Sequence, residues 1–223
     1  MTPRIVLVTD PWFADDAIIR CVEQVAEALP SGALCVQLRD KRRLLPSLRM
    51  MAIRLRVATR RAGARLVING QARLARDVGA DGVHLGSGAG TVAEARAAMG
   101  RPTWISVAAH TDEDVRRAKD EGADAVLVSP IFATRPPTAG GLAVVKPPRL
   151  AVVKPPRGVS AIRSARSIAQ GMAVFALGGV TLDRVRACAE AGADGIAVLR
   201  ALLASPRPAA LARAMNDSLA LRW

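Results

Sequence analysis

The chain has 223 residues, 51% of them hydrophobic and 23% charged, and a formal net charge of +13. This length and apolar content fit one domain with a large core. No apolar run approaches the roughly 18 residues that cross a membrane, so no membrane partner is expected. The basic balance comes with no Tyr and only three Phe, and the Arg residues are scattered through helical stretches. Stacking platforms for nucleic acid are therefore scarce and no nucleic-acid partner is expected, while a basic surface attracts phosphorylated substrates.

The first apolar run, at 4–8, predicts a strand that ends near Asp10, and 15–28 predicts a helix. No basic segment followed by an apolar one opens the chain, so no secretory signal is expected. A second strand at 33–38 runs into Gln37-Leu38-Arg39-Asp40-Lys41. Alternation puts Gln37, Arg39 and Lys41 on one face. A Gln and two cations there suit an anionic substrate, or a surface salt-bridge turn. A helix at 47–62 and a strand at 65–68 follow, ending at Asn69. Asn69 could bind a ligand or cap the helix expected at 71–78.

The fourth strand, at 82–85, contains His84, read as a core or barrel-wall residue. After a helix at 91–99, the fifth strand, at 103–107, leads to His110, where a general acid or base would sit. Thr111 reads as the N-cap of a helix at 112–121. A strand at 125–129 opens into an irregular stretch at 133–158. A helix at 159–169, a strand at 173–177, a helix at 182–191, a strand at 195–198 and a helix at 207–219 complete the chain.

Eight strand–helix alternations predict a parallel sheet with helices outside. Eight units favour closure into a single-domain (β/α)8 barrel over residues 1–223. An open dinucleotide-binding sheet would carry an early Gly-x-Gly-x-x-Gly turn, which is missing. Gly-Ala-Asp recurs at 79–81, 122–124 and 192–194 before apolar strands. Its Gly suits a helix end and its Asp a turn into the next strand. Leu142–Arg149 is repeated residue for residue as Leu150–Arg157. Its paired prolines interrupt helix and strand, so 133–158 is expected to be a long loop, either a substrate lid or a passive insertion. Cys21, Cys35 and Cys188 show no metal or pairing pattern, which suits reduced thiols in a cytoplasm.

The last third carries the phosphate signal. Gly178 and Gly179 lack Cβ atoms, so backbone N–H groups there can approach an anion closely. Barrel phosphates sit on the loops after the last two strands, here Gly178-Gly179-Val180 and Leu199-Arg200.

Gln37–Lys41, Val67–Asn69, Ala80–Gly86, Val107–His110, Gly122–Asp124, Pro130–Thr134, Leu177–Val180 and Gly192–Val198, in this order, resemble the thiamine phosphate synthase and thiazole tautomerase (TenI-type) superfamily. The resemblance implies a (β/α)8 barrel binding a phosphorylated thiazole, with Thr134 among the substrate-binding residues. The synthase reaction joins a pyrimidine diphosphate to a thiazole phosphate and uses Mg²⁺. This chain departs from the synthase pattern at several places. Asn-Asp after the third strand is Asn69-Gly70, and the second metal carboxylate is missing from Gly86-Ser87-Gly88-Ala89. A Ser before the His is Ala108, the loop Lys is lost after Thr134, and the final-loop Ser is Arg200.

The tautomerase branch is the closer resemblance. It implies a metal-independent isomerase that aromatises carboxythiazole phosphate, with His110 moving the proton and Arg39 or Lys41 meeting the carboxylate. No metal and no cofactor are then expected. The alternatives are a diverged thiamine phosphate synthase, with Mg²⁺, and a non-catalytic regulatory protein that binds thiazole phosphate. The oligomeric state stays open.

Overall fold

The computed structural model describes residues 2–134 and 155–220. Most of the expected loop at 133–158, and most of its tandem repeat, lie outside the described residues. The elements are β1 (Ile5–Val8), α1 (Asp15–Ala28), β2 (Leu34–Leu38), α2 (Leu45–Arg61), β3 (Arg65–Asn69), α3 (Ala72–Asp77), β4 (Gly82–Leu85) and α4 (Val92–Met99). They continue with β5 (Trp104–Ala109), α5 (Asp112–Asp120), β6 (Ala125–Val128), α6 (Ser160–Ala169), β7 (Ala173–Leu177), α7 (Leu182–Glu190), β8 (Gly195–Val198), α8 (Arg200–Leu203) and α9 (Pro208–Ala220). The strands pair in parallel, each with the next, and β8 closes on β1. The chain is a (β/α)8 barrel.

Two apolar layers hold it together. Outward strand residues such as Ile5, Val36 and Leu66 are fully buried against the helices. Inward residues Val6, Val8, Cys35, Val67, Leu127 and Phe175 fill the barrel itself. Trp104 packs edge-on to Phe175, ring centroids 6.3 Å apart, and plugs this interior. The strands are only four to six residues long. Two residues of strand rise roughly 7 Å, so the next inward side chains already stand above the plug. Those are polar: Gln37, Asn69, His84 and Ser106. They form the bottom of the mouth.

The Gly-Ala-Asp repeat has a different role for its acid from the turn expected of it. Asp81, Asp124 and Asp194 each reach back to the preceding strand. Their carboxylates accept the N–H of Leu66 at 2.8 Å, Ile105 at 2.7 Å and Val174 at 2.8 Å. Their own N–H groups donate to the carbonyls of the same three residues. An arginine from the helix before that strand completes each clasp: Arg56 of α2, Arg96 of α4 and Arg166 of α6. Strand pairs β3–β4, β5–β6 and β7–β8 are thus pinned at the end away from the mouth. Asp124→Ala strips a strand N–H and a guanidinium of their acceptor. It is expected to cost about 2–3 kcal/mol, read as a lower urea midpoint with an unchanged slope. A loss under about 0.5 kcal/mol would mean that water replaces the clasp.

Candidate active site

A cavity of about 1000 Å³ opens at the ends of the strands. The second strand brings Gln37, Arg39 and Lys41 to it, β3 brings Asn69, and the residues after β5 and β6 bring His110 and Thr134. Gly178, Gly179 and Val180 after β7, and Leu199 and Arg200 after β8, complete the wall. Every candidate from the sequence therefore faces one space.

The β7–β8 side presents backbone donors and arginines to the cavity. The N–H groups of Gly179 and Val180 donate to no acceptor among the described residues, and they lie just before the N-terminus of α7. Backbone donors at a helix start are a general anion site. Arg184, which the sequence reading missed, joins them. Its Nη1 donates to the Gly179 carbonyl at 2.7 Å, and its guanidinium stands 4.8 Å from the Phe132 ring centroid. Arg200 Nε lies 3.8 Å from Asp10 Oδ2. Burial pushes the Asp10 carboxyl above its ordinary range, against the pull of the Trp12 N–H and Arg200.

The β2 side is a second cationic arc. Thr9 Oγ1 accepts the Arg39 N–H at 2.9 Å, which fixes the chain leaving β2 against β1. Asn69 does not cap α3; that N-cap is Gln71, without a side-chain bond. Asn69 Oδ1 instead accepts from Gln37 Nε2 at 3.4 Å.

Half-buried His110 is held from two directions. Asp114 accepts its backbone N–H at 2.9 Å, and Thr111 and Asp114 form the capping box that starts α5. Its Nδ1 lies 2.9 Å from the Ser129 carbonyl oxygen. The Ser129 hydroxyl lies 3.2 Å from the same nitrogen; a proton on Nδ1 satisfies the nearer carbonyl and leaves the lone pair on Nε2.

The thiamine monophosphate synthase family model matches residues 5–202. The chain belongs to that family. A bifunctional thiamine biosynthesis protein (ThiM/ThiE) of Symbiobacterium thermophilum is 38% identical over 86% of this chain and 37% of its own length. A thiamine-phosphate synthase of Gloeobacter violaceus is 35% identical over 92% of this chain and 54% of its own length. The chain thus spans about half or less of these two relatives. A thiamine-phosphate synthase of Methanospirillum hungatei is 35% identical over 88% of both chains. In fold, the thiamine phosphate pyrophosphorylase of Pyrococcus furiosus superposes with a TM-score of 0.79 at 22% identity, covering 97% of this chain and 95% of that one. Two of these relatives are named thiamine-phosphate synthase, a transferase, and none of these names supports the isomerase expected from the sequence.

The Mg²⁺ of the synthase resemblance can be tested against these residues. A Cβ built on Gly70 would lie 4.0 Å from Ala89 Cβ. The backbone therefore brings together the two positions where the pattern places carboxylates, but neither side chain offers oxygen. The described residues hold no group of three or more His, Cys, Asp or Glu placed to bind a metal. The stretch 133–158 contains no Asp or Glu in its sequence. A hard cation needs such oxygens. The residues do not fit Mg²⁺. No helix among the described residues is long and apolar enough to cross a membrane.

Proposed function

We propose that this chain acts in thiamine biosynthesis as a transferase, joining a pyrimidine diphosphate to thiazole phosphate. The observation that carries the proposal is the pair of separate anion-binding arcs around one cavity, in a chain whose relatives carry the synthase name. The Gly179 and Val180 N–H groups, with Arg184 and Arg200, hold the thiazole phosphate. Arg39 and Lys41 hold the diphosphate. The thiazole nitrogen attacks the carbon that bears the diphosphate, the C–O bond breaks, and diphosphate leaves with the electron pair. Charge on the leaving group is met by fixed cations of the protein. A biosynthetic step of this kind suits the cytoplasm.

A second reading, thiazole tautomerisation, is favoured by the oxygen-free Gly70–Ala89 pair and by His110 lining the same cavity. In that reaction His110 takes a proton from the ring carbon and returns it to the exocyclic carbon. The test supplies purified protein with both synthase substrates and, separately, with the carboxythiazole phosphate tautomer. Thiamine phosphate formation supports the transferase. Aromatisation alone, lost in His110→Asn, would replace it with the isomerase. Binding of thiazole phosphate without either turnover would leave the regulatory reading.

A further inference from the structure

One helix on the outer wall of the barrel carries most of the exposed apolar surface. Six large hydrophobic side chains are exposed among the described residues, and five of them belong to α2 or its N-cap: Leu44, Leu45, Met50, Ile53 and Val57. The sixth is Leu182 of α7. The inward face of α2 already packs Leu48, Met51, Ala52, Leu55 and Ala58 on the barrel. Met50, Ile53 and Val57 follow one another by three and four residues, so they form a ridge along the opposite side. They are 60%, 41% and 49% exposed. A lone exposed Leu needs no reason, but a contiguous apolar ridge marks a surface that binds.

Arginines frame the ridge. The helical repeat puts Arg54 and Arg61 along one side of it and Arg49 and Arg60 along the other, and all four are exposed. No acidic residue lies on α2. Asp16 of α1 pairs with Arg54, and Asp77 of α3 with Arg49. Exposed pairs of this kind hold weakly, and a guanidinium has donors enough for a second carboxylate. This charge selects the occupant. A second copy does not fit, because a two-fold that lays α2 on its mate sets one arginine row against another, whether the helices run parallel or antiparallel. The stretch 135–154 has only Arg and Lys as charged residues, so like charge opposes it too. An anionic membrane is wide enough to meet Asp16 and Asp77 along with the ridge, and the ridge has no aromatic residue to anchor one. A single helix, about 10 Å across, lies along α2 alone.

We propose that the outer face of α2 docks an acidic amphipathic helix of another protein. The apolar side of that helix packs on Met50, Ile53 and Val57, and Asp or Glu residues on both of its flanks meet Arg49, Arg54, Arg60 and Arg61. None of these residues lines the cavity, so the surface is independent of the transferase reading.

A labelled synthetic helix of about 20 residues, long enough to hold its form, tests this by fluorescence anisotropy with the full chain. The peptide has a Leu ridge flanked by Glu, and a control peptide has Lys in place of Glu. The chain is expected to bind the Glu peptide, less tightly as salt rises, and not the Lys peptide. Met50→Ser, Ile53→Ser and Val57→Ser together leave the net charge unaltered and are expected to weaken the Glu peptide at least about tenfold. Arg49→Gln, Arg54→Gln, Arg60→Gln and Arg61→Gln together are expected to weaken it as much and to remove most of the salt dependence. Leu182→Ser, which removes the exposed apolar side chain of α7, is expected to change nothing. Full binding by the triple serine variant overturns the proposal, because the attraction would then be to the +13 chain as a whole. A Glu peptide that does not bind, or a Lys peptide that binds equally, also overturns it. Wild type that sediments as a dimer, which the serine variant loses, would give the face to a second copy. Pelleting with phosphatidylserine vesicles, lost in the same variant, would give it to a membrane. Either result overturns the acidic helix.

Discussion

Replacing Arg39 and Lys41 together with Ala is expected to lower kcat/KM for the pyrimidine diphosphate by about 10²–10⁴-fold. The magnitude follows from the oxygen-free Gly70–Ala89 pair. Where no carboxylate-held metal neutralises the diphosphate, these two side chains of the β2 arc carry that charge, both on binding and as the C–O bond breaks. The KM for thiazole phosphate is expected to change little, since the proposal places that anion at the β7–β8 side. Steady-state kinetics with each substrate varied in turn reads both values. A drop below about tenfold would mean that Arg39 and Lys41 are surface charges, the reading that the sequence left open.

Gly179→Val is expected to abolish thiazole phosphate binding, weakening it by more than about 100-fold, and to destabilise the fold by about 2–4 kcal/mol. Close approach of the phosphate is one reason for the glycine, worth about 1–3 kcal/mol in lost hydrogen bonds. The structure adds a stronger one. Gly179 has φ +63°, and a Cβ there would lie 2.5 Å from the Ala133 carbonyl oxygen and 2.9 Å from Phe132 Cβ. Left-handed backbone disfavours a β-branched residue, and the overlap would push either the turn or residues 132–133 aside. The two effects separate in a titration of the folded fraction. Pyrimidine diphosphate binding is expected to persist there while thiazole phosphate binding is gone. Retained affinity for thiazole phosphate would remove the anion site from the Gly178–Val180 turn.

The barrel was legible because each strand is a short, mostly apolar run, and because eight such runs alternate with helix-length segments. Boundaries shifted by one or two residues, as for α2, which begins at Leu45 ahead of the expected 47. The four-residue helix Arg200–Leu203 escaped notice, since one turn leaves no periodicity to read. What sequence could not supply was contact between distant residues. Asp81, Asp124 and Asp194 find their strand N–H partners 15 to 20 residues earlier. The choice for Asn69 between cap and ligand turned on Gln37, 32 residues away. His84, expected as a core or barrel-wall residue, is buried inside β4, and because β4 is short its inward side chain also meets the cavity. Arg184 hid in a helix, and its place at the mouth depends on Gly179 and Phe132.

The central claim is that this mouth drives a diphosphate transfer with its own cations. The most direct measurement is thiamine phosphate formation by metal-stripped protein, given both substrates in excess EDTA and then again with Mg²⁺ in excess. The account expects product in EDTA, at a rate within about tenfold of that with Mg²⁺. Product that appears only with Mg²⁺, or no product under either condition, would contradict it.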